Sequence, residues 1–366
     1  MNLEQHIHKP TLLLDSDKAQ RNIARLVHKA QASGVRFRPH FKTHQSAVVS
    51  EWFRQRGVEA ITVSSVDMAR YFADHGWGDI TIALSVNVRQ IDEIDALAGR
   101  VRLGLLVESV ETAVALHHHL THDVQIWLKI DVGYHRTGID WQDEMLATAV
   151  AQAVAAAPQL HLAGLLTHSG HTYHAQGETT VQSIYRDTVA RLQTVQAALH
   201  RQGWRVALSV GDTPSASLVE DFSGVDEIRP GNFVFYDVMQ AQIGSCTLAD
   251  VAIALACPVV AKHPSRQQIV LYGGAVHLSK EVLRGDGGVS YGRVARLTDS
   301  GWTPLPYEVV SLSQEHGIVQ GDEALLAETA VGDLLLVLPI HSCLTANLMK
   351  RYLTLQGDWI EMCATC

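Results

Sequence analysis

A regular alternation of short apolar segments with helix-like segments constrains the fold of this 366-residue chain more than any other feature. Eight segments rich in aliphatic and β-branched residues predict strands, at about residues 35–40, 60–64, 80–84, 101–107, 125–131, 162–167, 206–210 and 227–229. Helical patterns such as residues 66–75 and 183–200 separate most of them. Eight strand–helix units in about 200 residues are typical of a (β/α)8 barrel of the TIM type, in which parallel strands form a cylinder inside a ring of helices.

The rhythm changes after residue 237. Short strand-like segments now follow one another without helical patterns of comparable length, namely VAIALACPVV, QQIVLYGG, GRVARL, YEVVSLS and DLLLVLP. Such a succession indicates a β-rich domain. We therefore predict an α/β protein with two domains, a (β/α)8 barrel over residues 1–240 and a C-terminal β-rich domain over residues 241–366.

Composition excludes several classes of partner. The 38 acidic residues outnumber the 29 basic residues, which argues against a nucleic acid or an anionic membrane as the main partner. No apolar run approaches the roughly 20 residues that span a bilayer, and the start MNLEQHIHKP does not resemble a signal peptide. We expect a cytoplasmic protein that binds small molecules. The odd number of cysteines indicates no disulfide framework, and the terminal Cys363 and Cys366 receive no role.

Polar clusters follow the C-terminal ends of most predicted strands. They read RPHFKTH after the first strand, SSVD after the second, KIDVGYHRTG at the fifth, THSGHTYH at the sixth, SVGDTPS at the seventh and EIRPGNFVFYD at the eighth. Barrel enzymes carry their active sites on the face where the strands end. The clusters therefore predict a polar, cation-rich site at this face.

Two of these clusters together indicate a cofactor. Lys42 lies among His40 and His44, where a lysine can act as a nucleophilic amine that forms a Schiff base, although by itself it is more consistent with a solvated side chain. The turn SVGDTPS before a short helix offers backbone N–H groups to an anion, and Gly231 and Asn232 can complete a phosphate site. A reactive lysine beside a phosphate site indicates pyridoxal 5'-phosphate.

These motifs, followed by SQEHG and PIHSCLTANL, resemble the D-serine dehydratase and D-threonine aldolase group of fold-type III pyridoxal enzymes, whose barrel is similar to that of alanine racemase. The resemblance covers about residues 11–348. It implies that Lys42 holds the cofactor and that the protein is a homodimer with a composite active site. It further implies cofactor contacts from His40, Arg136, His168 and Tyr173 around the ring, and from Gly211, Thr213, Gly231 and Asn232 at the phosphate, with Tyr236 nearby.

The resemblance also implies that His341 and Cys343 bind a divalent metal, with Gln314, Glu315 and His316 close to it. On an extended segment, residues two apart project to the same side, and an imidazole with a thiolate favours Zn²⁺, with Mn²⁺ or Mg²⁺ as alternatives. Two features depart from expectation. Asp212 lies within the phosphate turn and must point away or cap the helix, and Gln314 stands where an acid is expected.

The function that the resemblance implies is deaminating dehydration of D-serine or a related 3-hydroxy-D-amino acid to a 2-oxo acid and ammonia. Lys42 is then the base at the α-carbon, with Tyr173 and Gln314 as further catalytic candidates. Alternatives are retro-aldol cleavage to glycine and an aldehyde, as in D-threonine aldolase, and amino-acid racemisation. The sequence also leaves open a non-catalytic pyridoxal carrier and a cofactor-free barrel that acts on phosphorylated sugars.

Overall fold

The computed structural model describes residues 3–285 and 288–364, which divide into two compact units. Within these residues, the β unit consists of residues 3–23 together with Asn232–Met362, and the barrel unit consists of Ala24–Gly231 with residues 363–364. Strand β1 (Thr11–Leu14) begins the chain's regular structure, and helix α1 (Ser16–Ala32) contains the division between the units.

The barrel unit contains the eight predicted strands, all paired in parallel in the order β2-β10-β9-β8-β6-β5-β4-β3. A parallel bridge between His40 and Thr62 joins the two ends of this order. The predicted α/β barrel with a β-rich domain is therefore confirmed. The strands are β2 (Arg36–Phe37), β3 (Ile61–Val63), β4 (Asp79–Ser85), β5 (Arg102–Val107), β6 (Val124–Asp131), β7 (Ile139–Asp140), which pairs with β6 off this order, β8 (Leu160–Leu166), β9 (Ala207–Val210) and β10 (Glu227–Ile228).

Helices connect these strands, and several begin at a side-chain cap. Ser65, Ser109 and Asp143 each accept a hydrogen bond from the backbone N–H three residues later, which satisfies a donor that the first helical turn leaves free. The helices of this unit after α1 are α2 (Ala47–Arg54), α3 (Val66–Asp74), α4 (Ile91–Ala98), α5 (Val110–His119), α6 (Glu144–Ala155), α7 (Glu178–Arg201) and α8 (Thr213–Leu218). No helix in the described part of the chain is long and apolar enough to cross a membrane.

A network of buried charges occupies the barrel unit. The Arg38 guanidinium donates from Nε to Glu227 at 2.6 Å and from one terminal nitrogen to Asp79 at 2.5 Å. Ser209 donates to the other Glu227 oxygen at 2.7 Å and accepts from Arg229 Nε at 2.6 Å. Glu227 thus holds Arg38 directly and Arg229 through Ser209. Arg38, Ser209, Glu227 and Arg229 are buried, whereas Asp79 is partly exposed.

The β unit is built around a mostly antiparallel nine-stranded sheet in the order β12-β17-β16-β15-β18-β11-β1-β19-β20, with a further pairing between β11 and β12. Its strands are β11 (Ile253–His263), β12 (Gln268–Tyr272), β13 (Leu283–Gly285), β14 (Gly288–Ser290), β15 (Gly292–Thr298), β16 (Gly301–Leu312), β17 (His316–Gln320), β18 (Leu334–Pro339), β19 (Arg351–Thr354) and β20 (Trp359–Glu361). Its helices are α9 (Val238–Ile243), α10 (Ala275–Leu278), α11 (Glu323–Glu328) and α12 (Ser342–Met349).

Strand β1 belongs to the β unit. We assigned residues 1–23 to the barrel, but β1 pairs antiparallel with β11 and parallel with β19, both in the β unit. All four β1 residues are buried, which is expected of an inner strand and differs from an edge strand. The second division between the compact units falls between Gly231 and Asn232, and the predicted domain boundary lies near residue 240.

We expect Glu227→Gln to reduce the stability of the barrel unit strongly. The substitution leaves the buried Arg38 guanidinium with one carboxylate partner fewer, and breaking a buried ion pair typically costs about 3–5 kcal/mol. Urea unfolding of the purified protein measures the change. Glu144→Gln is the control, because Glu144 pairs with Arg201 on the surface at 2.8 Å and exposed pairs contribute little. Equal effects of the two substitutions would contradict the expectation.

Candidate functional site

Lys42 lies on a tight turn that follows β2. The Lys42 backbone N–H donates to Nδ1 of His40 at 3.3 Å, and its carbonyl accepts from the Gln45 side chain at 3.0 Å. Gln45 has a positive φ of 47°, which a non-glycine residue rarely adopts. Its backbone carbonyl accepts from the N–H of Cys363 at 2.6 Å. The backbone of Lys42 is therefore held firmly while its side chain is exposed.

Two histidines beside Lys42 are held neutral. Burial lowers the pKa of His40 and of His168 well below the usual value, and the positive charge of Lys42 lowers both further. His168 Nδ1 contacts the carbonyl oxygen of Gly211, so this nitrogen carries the proton. In this tautomer the other ring nitrogen, Nε2, is unprotonated and can accept a hydrogen bond. His40 Nδ1 accepts from Lys42, so its proton is on Nε2. Each imidazole can therefore pack against an aromatic ligand without adding charge.

The predicted phosphate turn approaches neighbouring backbone closely. A Cβ atom at Gly211 would come within 2.9 Å of the Arg229 carbonyl oxygen, and one at Gly231 within 2.8 Å of the His40 carbonyl oxygen. Both positions therefore require glycine. In the described chain the buried hydroxyls of Thr213 and Ser215 have no hydrogen-bond partner, which leaves two donors available to an anion.

Asp212 caps α8 and does not face an anion. Its Oδ1 accepts from the Ser215 backbone N–H at 2.7 Å and from the Thr172 hydroxyl at 3.0 Å. Burial raises the pKa of Asp212 to about 6, although the hydrogen bonds from Ser215 and Thr172 act to lower it. The phosphate assignment requires Asp212 either to point away or to cap the helix, and Asp212 caps the helix.

The loop after β6 carries Arg136. Asp131 Oδ1 accepts from the backbone N–H groups of Gly133, Tyr134 and His135, at 2.9, 2.9 and 3.1 Å. The Arg136 guanidinium lies over the Tyr134 ring, 5.1 Å from its centre. The Tyr134 ring in turn lies 6.0 Å from that of His168, centre to centre. The loop therefore places Arg136 and Tyr134 on the side of the barrel where His168 lies.

Tyr173 also lies beside His168. The two ring centres are 6.1 Å apart, and the Tyr173 hydroxyl accepts from the Thr213 backbone N–H at 3.5 Å. The structure thus brings together residues from the first, fifth, sixth and seventh predicted strand ends. The charge of Lys42 lowers the pKa of both His40 and His168, as expected for residues that lie in one cluster. We call His40, Lys42, Lys129, Arg136 and His168 the barrel-mouth cluster.

Sequence reasoning missed Lys129 and Arg229. Lys129 is buried, and burial lowers its pKa to about 7, with smaller effects from the charges of Arg229 and Arg136. Arg229 is buried too, and a terminal nitrogen of its guanidinium donates to the Thr167 carbonyl at 2.5 Å. Strand alternation was the available signal for Lys129, because it lies two residues after Trp127, which packs in an apolar cluster of the same sheet.

The His341–Cys343 motif lies in the β unit at the start of α12. His341 is the extended N-cap residue of this helix, and Cys343 lies in its first turn, so only part of the motif is extended as predicted. Burial lowers the pKa of His341, but the hydrogen bond and charge of Cys343 and the charges of Asp237 and Glu281 raise it to about 9. The two proposed ligands therefore contact each other. Within the described ranges, no group of three or more histidine, cysteine or acidic residues could hold a metal ion.

Asn232 contacts this motif with its side chain. Its Nδ2 donates to Asp237 at 2.6 Å, to the Ser342 hydroxyl at 3.0 Å and to Cys343 Sγ at 3.6 Å. Its side-chain amide hydrogens are therefore directed to other groups, and only the backbone N–H of Asn232 remains for the predicted phosphate contact. Tyr236 is buried with a positive φ of 48°. Gln314 is exposed, and its amide lies 3.5 Å from Glu315.

Comparison with known proteins then identifies the family. Residues 14–238 match the alanine racemase N-terminal domain, and residues 252–355 match a putative serine dehydratase domain. The chain belongs to the D-serine dehydratase and D-threonine aldolase group. The resemblance that the motifs indicated is thus confirmed.

Members of this group match the chain over nearly its whole length. D-threo-3-hydroxyaspartate dehydratase of Delftia sp. (strain HT23) is 31% identical over 361 residues, covering 95% of this chain and 94% of that relative. D-serine dehydratase of Dictyostelium discoideum is 24% identical and covers 96% and 94%. A solved structure of a cysteine-to-alanine variant of D-threo-3-hydroxyaspartate dehydratase in the metal-free form has a TM-score of 0.93 at 28% identity, with 99% of both chains covered.

We expect Asp212→Asn to raise the melting temperature by a few degrees at pH 8 and to leave it unchanged near pH 4. The pKa of Asp212 is about 6 in the folded chain against an ordinary value of 3.8, so its stabilising contribution is complete at low pH and is lost as pH rises through 6. Asparagine keeps the cap without the charge. Thermal unfolding between pH 4 and 8 measures the difference. A constant difference at all pH values would contradict the assignment.

Proposed function

We propose that this protein is a pyridoxal-phosphate-dependent lyase that deaminates D-serine or a related 3-hydroxy-D-amino acid to a 2-oxo acid and ammonia. The observation that carries the proposal is the pairing of Lys42 with the turn at Gly211–Ser215 in one barrel. A relative with 31% identity is a D-threo-3-hydroxyaspartate dehydratase, which supports a lyase acting on a 3-hydroxy-D-amino acid. The family to which the chain belongs implies the cofactor.

The barrel unit fits this cofactor. The orphaned hydroxyls of Thr213 and Ser215, with the close backbone at Gly211 and Gly231, suit a phosphate group. The neutral rings of His168 and His40 suit packing against an aromatic ring. Arg229 is the candidate partner of the pyridine nitrogen, a role that an arginine or an aspartate fills in such enzymes. When bound, the cofactor withdraws electrons from the α-carbon of an attached amino acid.

Lys42 both holds the cofactor and moves the α-proton in this proposal. Its amine would hold the cofactor, because an aldehyde requires an amine nucleophile, and the same amine when free would serve as a base for the α-proton of the substrate. Arg136 supplies positive charge on the same side of the barrel. Tyr173, beside His168, is the candidate for a second proton-transfer group.

The donor set at His341 and Cys343 fits a divalent metal. Imidazole and thiolate favour Zn²⁺, and two protein ligands leave coordination positions open, as a catalytic site requires. When bound, the metal acts as a Lewis acid that makes the β-hydroxyl a better leaving group. His341 must lose its proton and Cys343 must be a thiolate to ligate it. Gln314 stays a predicted neighbour of this metal. The homodimer with a composite active site and the cytoplasmic location also remain predictions from the sequence.

We expect Lys42→Ala to remove the visible absorbance of the cofactor–lysine imine and to reduce turnover of D-serine by at least a hundredfold. The reason is that Lys129, the other amine of the barrel-mouth cluster, is buried, whereas Lys42 is exposed on the turn at His40 and Gln45. Lys9→Ala removes an exposed lysine of the β unit and serves as the control. Borohydride reduction followed by peptide mapping locates the modified residue. Label on a lysine other than Lys42 would overturn the assignment.

We expect Cys343→Ala to reduce dehydration at least a hundredfold while the cofactor absorbance stays. Cys246→Ala, which removes another cysteine that is not in a disulfide, is the matched control. Product analysis with D-serine and 3-hydroxy-D-aspartate, before and after chelation and after added Zn²⁺, checks the reaction. A 2-oxo acid with ammonia supports elimination. Glycine with an aldehyde would instead indicate the aldolase reaction, and the L-isomer alone would indicate racemisation. Full activity after chelation would show that the reaction does not need the metal.

A further inference from the structure

Asp237 is a buried carboxylate that the proposed function has not used. Its side chain is 1% exposed, and it caps α9 because Oδ1 accepts from the Gln240 backbone N–H at 2.9 Å. Its second oxygen accepts from Asn232 Nδ2 at 2.6 Å and from the Ser342 backbone N–H at 3.0 Å. A helix cap needs only one oxygen. The second oxygen instead holds a residue 105 positions later in the chain.

The residue that it holds lies between the two proposed metal ligands. Ser342 donates its backbone N–H to Asp237, and its hydroxyl accepts from Asn232, which also reaches Cys343 Sγ. Ser342 is completely buried. Its two peptide bonds carry His341 on one side and Cys343 on the other. The orientation of Ser342 therefore sets the separation and direction of the two ligand atoms.

The charge of Asp237 also connects this residue with the metal site at His341 and Cys343. Asp237 has no lysine or arginine partner in the described chain, and its second oxygen is held by neutral donors, the Asn232 amide and the Ser342 backbone N–H. Burying a carboxylate is costly unless an opposite charge compensates for it. A divalent cation bound by a neutral imidazole and one thiolate retains a net charge of plus one. The carboxylate of Asp237 supplies the negative charge that balances it.

We propose that Asp237 and Asn232 are positioning residues that form the outer shell of the metal site at His341 and Cys343. The inference rests on the proposed function, because it assumes the metal. A site with two protein ligands has little intrinsic rigidity, so the outer shell has a larger share in its affinity. Removal of such groups typically weakens metal binding by about 10–100-fold.

The test measures metal binding by the full-length protein without substrate. Co²⁺ is titrated while the thiolate-to-cobalt absorbance band is recorded, which gives the affinity for Co²⁺. Zn²⁺ is then added in competition, which gives the affinity for Zn²⁺. We expect Asp237→Asn to weaken both ions by about 10–100-fold, since asparagine keeps the cap on α9 but removes the charge. Asn232→Ala should weaken binding and also change the cobalt band, because it removes the contact to Cys343 Sγ. Asp237→Asn should leave the cofactor absorbance as in the unaltered protein.

Asp322→Asn is the matched control. Asp322 caps α11 in the same unit by accepting from the Leu325 backbone N–H at 2.9 Å, as Asp237 does for α9. It should leave Co²⁺ affinity within twofold of the unaltered protein. Equal affinities in all variants, with the band present, would overturn the outer-shell inference alone. Absence of the band in the unaltered protein, with Cys343→Ala indistinguishable from it, would overturn the metal site itself.

Discussion

The pairing that closes the barrel also holds the residue on which the proposed chemistry depends. Thr62 donates its N–H to Pro39 at 2.9 Å and accepts from the N–H of Phe41 at 2.8 Å, which fixes His40 between them. Lys42 follows immediately. A parallel barrel brings all its strand ends to one rim, so side chains from distant segments meet there only if the cylinder closes. These two backbone hydrogen bonds hold the Lys42 turn against β3, and the pairing of β2 with β10 and of β10 with β9 places it near Gly211.

Charge is arranged differently in the two units. The barrel unit gathers lysine and arginine near two neutral histidines, and its buried carboxylates, Glu227 and Asp212, are occupied by internal hydrogen bonds. Such a surface favours an anionic ligand. The β unit instead gathers a thiol and the carboxylate Asp237 around one histidine, which favours a cation. The cofactor phosphate and the metal of the proposed reaction therefore complement opposite excesses of charge.

Much of the barrel unit follows from local patterns. Short apolar segments bounded by turns predicted the strands, because a strand buried between helices must be apolar on both faces. The motif residues Lys42, His168 and Gly211 were placed correctly at the strand ends. The side-chain partners of Asn232 could not be predicted, because a single amide in RPGN can point either way and its direction depends on Ser342, which is far away in sequence. Lys129 was overlooked because its burial depends on packing across the sheet.

The amino-acid sequence by itself determined the eight strand–helix units, the β-rich second part and the residue types available for binding. These depend on local periodicity and on turn chemistry, which short segments carry. Tertiary structure alone decided that β1 joins strands more than 200 residues later, that Asp212 caps a helix and that Asn232 and Asp237 converge on His341 and Cys343. Such long-range pairings depend on which surfaces exclude water together, and no local pattern records that.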